Sequence, residues 1–168
     1  MAVSLINWSG ALDTIIDDSD GITYNTTMLP GIVIDSNVFI SALRSSLGAS
    51  YKLISLIGTG KFEIFISVPL IIEYEEVAKR QSRQIGLTYD EIDDVIDYIC
   101  KVANHQTIFF LWRPMLKDPK DDLVLELAVE AGCDYIITFN KKDFAGTEKF
   151  DVQVVSPGEF LRIIGEVR

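Results

Sequence analysis

From residue 31 onward, short apolar runs alternate with stretches of helical periodicity. GIVID (31–35), FEIFISV (62–68), QTIFFLW (106–112), DYIITF (134–139) and VQVV (152–155) are too short for helices. GIVID is apolar almost throughout, as a strand must be when both its faces are covered. Between these runs, NVFISALR (37–44) and ASYKLISLIGTG (49–60) read as helical, the latter stopped by Gly58 and Gly60. Pro69 opens a helix to about Arg83, since proline suits a first helical turn. Residues 88–105 place Ile92, Val95, Ile96, Ile99 and Val102 on one face. Residues 113–120 read as a loop, residues 121–132 as a helix ended by Gly132, and residues 157–164 as a closing helix. Such alternation predicts an α/β fold with a mainly parallel sheet and right-handed crossovers.

Acidic residues stand where the apolar runs end: Asp35 after GIVI, Glu73 beyond FEIFIS, Asp121 at the start of DDLVLELAVEAG, and Asp143 beyond DYIITF. In a parallel sheet, strand ends of one polarity open onto one edge, so these four can meet there. Gathered carboxylates repel one another unless a cation lies between them. A hard divalent metal, and chemistry on an anionic substrate, is therefore the first expectation. Each acid also has a structural alternative. Asp35 can cap a helix, as can Asn37; one of Asp121 and Asp122 can cap the next helix; Glu73 can complement a helix dipole; Asp143 can cap a short turn. Glu75 and Glu76 are not separable from Glu73 by physics alone, although Glu73 lies nearest the strand end. Asp118, before Pro119, reads as a turn residue.

Composition narrows the function classes. With 25 Asp and Glu against 15 Lys and Arg, the chain lacks the basic character of a passive nucleic-acid coat, but a bound metal reverses charge locally. His105 is the only histidine, and its neighbours do not support histidine-based zinc or nucleophile chemistry. Cys100 and Cys133 lack metal-ligand spacing and read as reduced thiols of a cytoplasmic protein. No apolar run reaches the roughly 18 residues of a membrane span, and no signal peptide is expected. Residues 1–29 form a distinct acidic extension with Asp13, Asp17, Asp18 and Asp20 and no Lys or Arg, ahead of a domain at 30–168. Its apolar residues, Trp8 among them, suit a short helix or a clasp on a neighbour.

VIDSNVF (33–39), SVPLIIEY (67–74), DPKDDLVLELAVEAGCDYIIT (118–138) and TFNKKDF (138–144), taken in order and spacing, resemble the PIN-domain ribonucleases. The likeness is greatest to the VapC-type toxins of toxin–antitoxin pairs and covers about residues 31–160. It implies a three-layer sandwich, with helices on both faces of a central, mostly parallel sheet. It also implies a metal-dependent endoribonuclease using Mg2+ or Mn2+, an RNA substrate, a protein antitoxin and a homodimer. By motif, Asp35, Glu73, Asp121 and Asp143 become the metal-binding and catalytic acids. Ser36, Asn37, Thr138 and Asn140 become supporting residues, Asn140 standing where many members have Asp or Asn. Lys79, Arg80, Arg83, Arg113, Lys117, Lys141 and Lys142 are candidate grips on RNA, with Lys141 and Lys142 best placed. The long acidic extension departs from the compact toxin pattern. Two other readings remain open. One is a phosphotransfer protein or haloacid-dehalogenase-like phosphatase using Asp35, although the second Asp of that pattern is Asn37 here. The other is a non-catalytic PIN-like binding module.

Overall fold

The computed structural model describes residues 28–109 and 115–167. The acidic extension up to residue 27, residues 110–112 of the expected third strand, and Arg113 lie outside the described residues. The strands are β1 (Gly31–Ile34), β2 (Glu63–Ile66), β3 (Asn104–His105), β4 (Tyr135–Ile137) and β5 (Gln153–Val155). The helices are α1 (Ser36–Arg44), α2 (Ala49–Ser55), α3 (Val68–Arg80), α4 (Ser82–Ile85), α5 (Tyr89–Val102), α6 (Pro119–Glu130) and α7 (Pro157–Ile163). Two 3-10 turns, Lys141–Phe144 and Thr147–Phe150, follow β4.

Every strand pairing is parallel, in the order β3-β2-β1-β4-β5. The central strand explains the apolar run that opens the domain: Ile32, Val33 and Ile34 are all 0% exposed, so helices cover both faces of a three-layer sandwich. α6 lies against β1, β2 and β4. Its buried residues, Asp122 and Val124 to Ala128, span nearly its whole circumference rather than one stripe. The strand order reverses at β1, whose neighbours are β2 on one side and β4 on the other. A crevice opens beyond the carboxyl ends of strands at such a reversal, where ligands bind in open α/β sheets.

Tyr74 fixes α3 against this crevice. It is 1% exposed, stacks on Phe39 with ring centroids 4.5 Å apart and 13° between planes, and donates its hydroxyl to the Ile34 carbonyl at the end of β1. Tyr74→Phe removes the donor and strands that carbonyl. We expect a loss of about 1–2 kcal/mol, read by urea or thermal unfolding.

Three local features differ from the sequence expectation. The helix expected over 88–105 ends at Val102, because Ala103 turns extended and the chain returns to the sheet edge, pairing Asn104 with Phe65. Among the described residues the third strand is the residue pair Asn104–His105, earlier than QTIFFLW, and Gln106 N–H to Ile66 O (2.8 Å) continues the ladder. His105 sits on that strand, its ring donating to the Cys100 carbonyl at 2.6 Å. The helix expected from Pro69 to about Arg83 is split at Gln81 into α3 and α4, which stops at Gly86 with φ 80°. The helix expected at 121 begins at Pro119, and Asp118 is its N-cap, accepting from Lys120 N–H at 2.9 Å. Asp118 thus does the capping assigned by sequence to Asp121 or Asp122.

Candidate active site

Asp35 occupies the N-cap position of α1 with extended backbone, and its carbonyl accepts the first helical bonds from Val38 (3.0 Å) and Phe39 (3.2 Å). Its side chain makes no capping bond. The carboxylate turns instead into the crevice beside β4. The register pairs Ile34 with Ile137, so the following residues, Asp35 and Thr138, stand side by side. Thr138 Oγ1 and Asn37 Nδ2 each donate to Asp35 Oδ2 at 2.6 Å, and Asn37 also reaches Thr138 at 3.1 Å. Phe139 N–H donates to Asn37 Oδ1 at 3.3 Å and Asn140 N–H to Thr138 Oγ1 at 3.0 Å, tying the segment after β4 to the same cluster. Asp35 is only 6% exposed, and burial raises its pKa against these hydrogen bonds, which lower it.

Glu73 comes from the neighbouring strand unit. Ser36 Oγ donates to Glu73 Oε1 at 2.8 Å and lies 3.3 Å from Asp35 Oδ1, so one hydroxyl bridges the two acids. Glu75 and Glu76 turn away along α3, pairing with Lys79 (2.7 Å) and Arg80 (3.3 Å). Asp121 is half-buried near the start of α6. Its carboxyl is pushed up to about 6 by burial first, then by the charges of Asp35, Asp118, Asp143 and Glu73. Asp143, exposed on the first 3-10 turn, is close enough to contribute to that field. Asp35, Asp118, Asp143 and Glu73 thus lie near enough to Asp121 for their charges to act on it, and Ser36 links Asp35 to Glu73.

Asp122 does not join them. It is 1% exposed and accepts from Leu116 N–H at 2.8 Å and Met115 N–H at 3.2 Å, fastening the approach to α6. Lys141, a candidate grip on RNA, pairs its exposed ammonium with Glu159 at 3.0 Å. Sequence reasoning passed over Lys120, 4.0 Å from Glu73, and Arg44, treated below. A Lys one residue before Asp121 was the available signal.

The donors suit a hard dication in kind. They are oxygens only, and among the described residues the one cation paired with an acid of the cluster is Lys120, at the long distance just given. Among the described residues, no three His, Cys, Asp or Glu groups stand close enough to share one ion as placed. In the absence of metal, Asp121 gives the fold a pH dependence. Its pKa is higher folded than unfolded, so the native state holds the extra proton between 3.8 and about 6. That contribution is present at low pH and is lost as pH rises through about 6.

A chain of VapBC2 from Rickettsia felis, solved bound to a DNA fragment from their promoter, shares this fold. The TM-score is 0.51 at 11% identity, over 74% of the present chain and 96% of that chain. No curated protein sequence matches. The family model described as "PIN domain" matches residues 31–142, two thirds of the chain, taking in Asp35, Glu73, Asp121 and Asn140 and ending one residue before Asp143. With the parallel sheet, the reversal at β1 and the acids around it, this match makes the chain a member of the PIN-domain family.

Proposed function

We propose that this protein is a metal-dependent endoribonuclease and the toxin of a type II toxin–antitoxin pair. The observation that carries the reading is the set of poorly compensated carboxylates at the strand reversal of a PIN domain, where one hydroxyl, that of Ser36, links Asp35 to Glu73. Asp35, Glu73, Asp121 and Asp143 are the residues that would hold Mg2+ or Mn2+. When bound, the ion would polarise the scissile phosphodiester and acidify a water. The likeness to VapBC2 supports a protein antitoxin as partner, and the homodimer rests on the family resemblance of the sequence motifs alone.

The chain's own contributions are orientation and charge. Thr138 and Asn37 fix Asp35 Oδ2 from one side, leaving Oδ1 toward Ser36 and the crevice. Ser36 holds Glu73 in the same place. Supports of this kind set ligand direction and typically contribute ten- to a hundredfold to metal affinity. Asp121 must lose its proton to serve as a ligand. Mn2+ binding should therefore weaken about tenfold per pH unit below about 6. Calorimetric titrations at pH 5, 6 and 7.5 check this, and a pH-independent affinity would remove Asp121 from the ligand set.

Membership of the PIN family favours hydrolysis of a phosphodiester over phosphotransfer through Asp35. The direct experiment is an incubation of the full chain with unstructured RNA under Mg2+, Mn2+ or EDTA. Cleavage with either metal and none in EDTA is expected. Cleavage that persists in EDTA, or none with any divalent ion, contradicts the reading.

A further inference from the structure

A shallow groove of about 380 Å3 leads away from the acidic site between α1 and α3. Ser36, Asn37 and Glu73 form its near end, and Arg44, Arg80 and Lys120 line it. Three cations converging here run against the sign of the chain, whose net charge is −10.

Arg44 is the informative member. It closes α1, whose nine residues put it roughly 12 Å along the axis from Ser36. Its guanidinium donates to the side-chain oxygens of Gln81 and Gln84, the latter at 3.1 Å. Both acceptors are neutral amides. Among the described residues no carboxylate pairs with that guanidinium, so no neighbouring acid offsets its charge. A structural surface arginine more often gains its fixed pose from an acid, which cancels the charge. Arg80 reaches Glu76 only in an exposed pair at 3.3 Å, and Lys120 stands 4.0 Å from Glu73. An arriving anion displaces exposed pairs of this kind at little cost. The planar fork of a guanidinium matches a phosphate better than a point charge does.

We infer that this groove is the track of a single-stranded RNA backbone leaving the scissile position, with Arg44 gripping a phosphate remote from the one cleaved. The inference rests on the nuclease reading, whose acids form the near end of the groove. Arg44 acts as a positioning residue. Its guanidinium is bound at Gln81 and Gln84 and not at the acids, so the proposal gives it the same contact before and during cleavage. Such uniform binding changes KM and leaves kcat nearly constant.

The test compares the full wild-type chain with Arg44→Gln and Arg44→Lys on an unstructured fluorescent RNA. Cleavage is followed in Mn2+, and binding by anisotropy in EDTA, at several salt concentrations. Arg44→Gln should raise KM about three- to tenfold and lower the slope of log affinity against log salt by about 0.7, the share of one single-strand phosphate contact. Arg44→Lys, which keeps the charge and loses the fork, should fall between. Cleavage with an unchanged KM and slope in Arg44→Gln overturns the groove assignment and leaves the nuclease reading intact. If no metal supports cleavage, the EDTA binding series still decides. A weaker, less salt-sensitive Arg44→Gln supports the track, and identical curves overturn it. Binding of a poly-glutamate peptide in preference to RNA, abolished by Arg44→Gln, assigns the groove to an acidic protein segment and overturns the RNA track.

Discussion

Asp35→Asn should lower metal-dependent RNA cleavage by about a thousandfold or more while leaving the fold intact. A metal-held phosphodiester draws several kcal/mol of transition-state stabilisation from the ion, and about 4 kcal/mol corresponds to that factor. The substitution is structurally mild for a specific reason. Asp35 Oδ2 accepts from Asn37 and Thr138, and an amide oxygen in that position keeps both bonds. The new amide nitrogen then faces Ser36, whose hydroxyl donates to Glu73 and so has a lone pair free to accept. Unfolding temperature should change by no more than about 2 °C. Asp35→Ala is the poorer test, because it leaves two donors facing a buried void and should cost about 2–3 kcal/mol. Single-turnover cleavage together with thermal unfolding of both variants checks this. Full activity in a folded Asp35→Asn protein would remove Asp35 from the mechanism.

The second large effect separates two adjacent acids. Asp122→Ala should destabilise the protein by about 2–3 kcal/mol, because it removes two charge-assisted hydrogen bonds to the Met115 and Leu116 amides from a site 1% exposed. In a domain of this length that is a fall of about 4–12 °C in Tm. Asp121→Asn should do the reverse. It deletes a charge that burial first and four other carboxylates next oppose, so the metal-free protein should gain slightly at pH 7, by ~1 kcal/mol at most because solvent screens a half-buried group. The gain should vanish at pH 4, where wild-type Asp121 is itself protonated. Activity should follow the opposite ranking, with Asp121→Asn inactive and Asp122→Ala active at temperatures where it stays folded. Equal effects of the two substitutions on both properties would dissolve the distinction.

What the sequence made legible follows from two constraints. A strand covered on both faces must be apolar at every position, which announced β1 before any contact was known. A parallel sheet collects its strand ends at one edge, which predicted a meeting of Asp35, Glu73, Asp121 and Asp143; in the molecule Ser36 links the first two, and the charges of Asp35, Asp143 and Glu73 reach Asp121. Features made by tertiary partners stayed hidden. β3 is two residues long and exists because β2 lies beside it. Asp121 and Asp122 differ only in what the folded chain brings to each, a field of carboxylates or a pair of amides. The pairing of Lys141 with Glu159, eighteen positions away, was hidden because the two are not neighbours until the chain folds. Asp118 was misread because an Asp before proline suits a turn and a helix cap equally well.

The most direct measurement is a calorimetric titration of the full chain with Mn2+ at pH 7.5, repeated on Asp35→Asn and Asp121→Asn. Separate elements bring these side chains to the crevice, so each removal should weaken binding at least tenfold and cancel the metal-induced rise in Tm. A wild-type chain that takes up no Mn2+, or variants that bind it as tightly as wild type, would mean that these carboxylates share a crevice without sharing an ion.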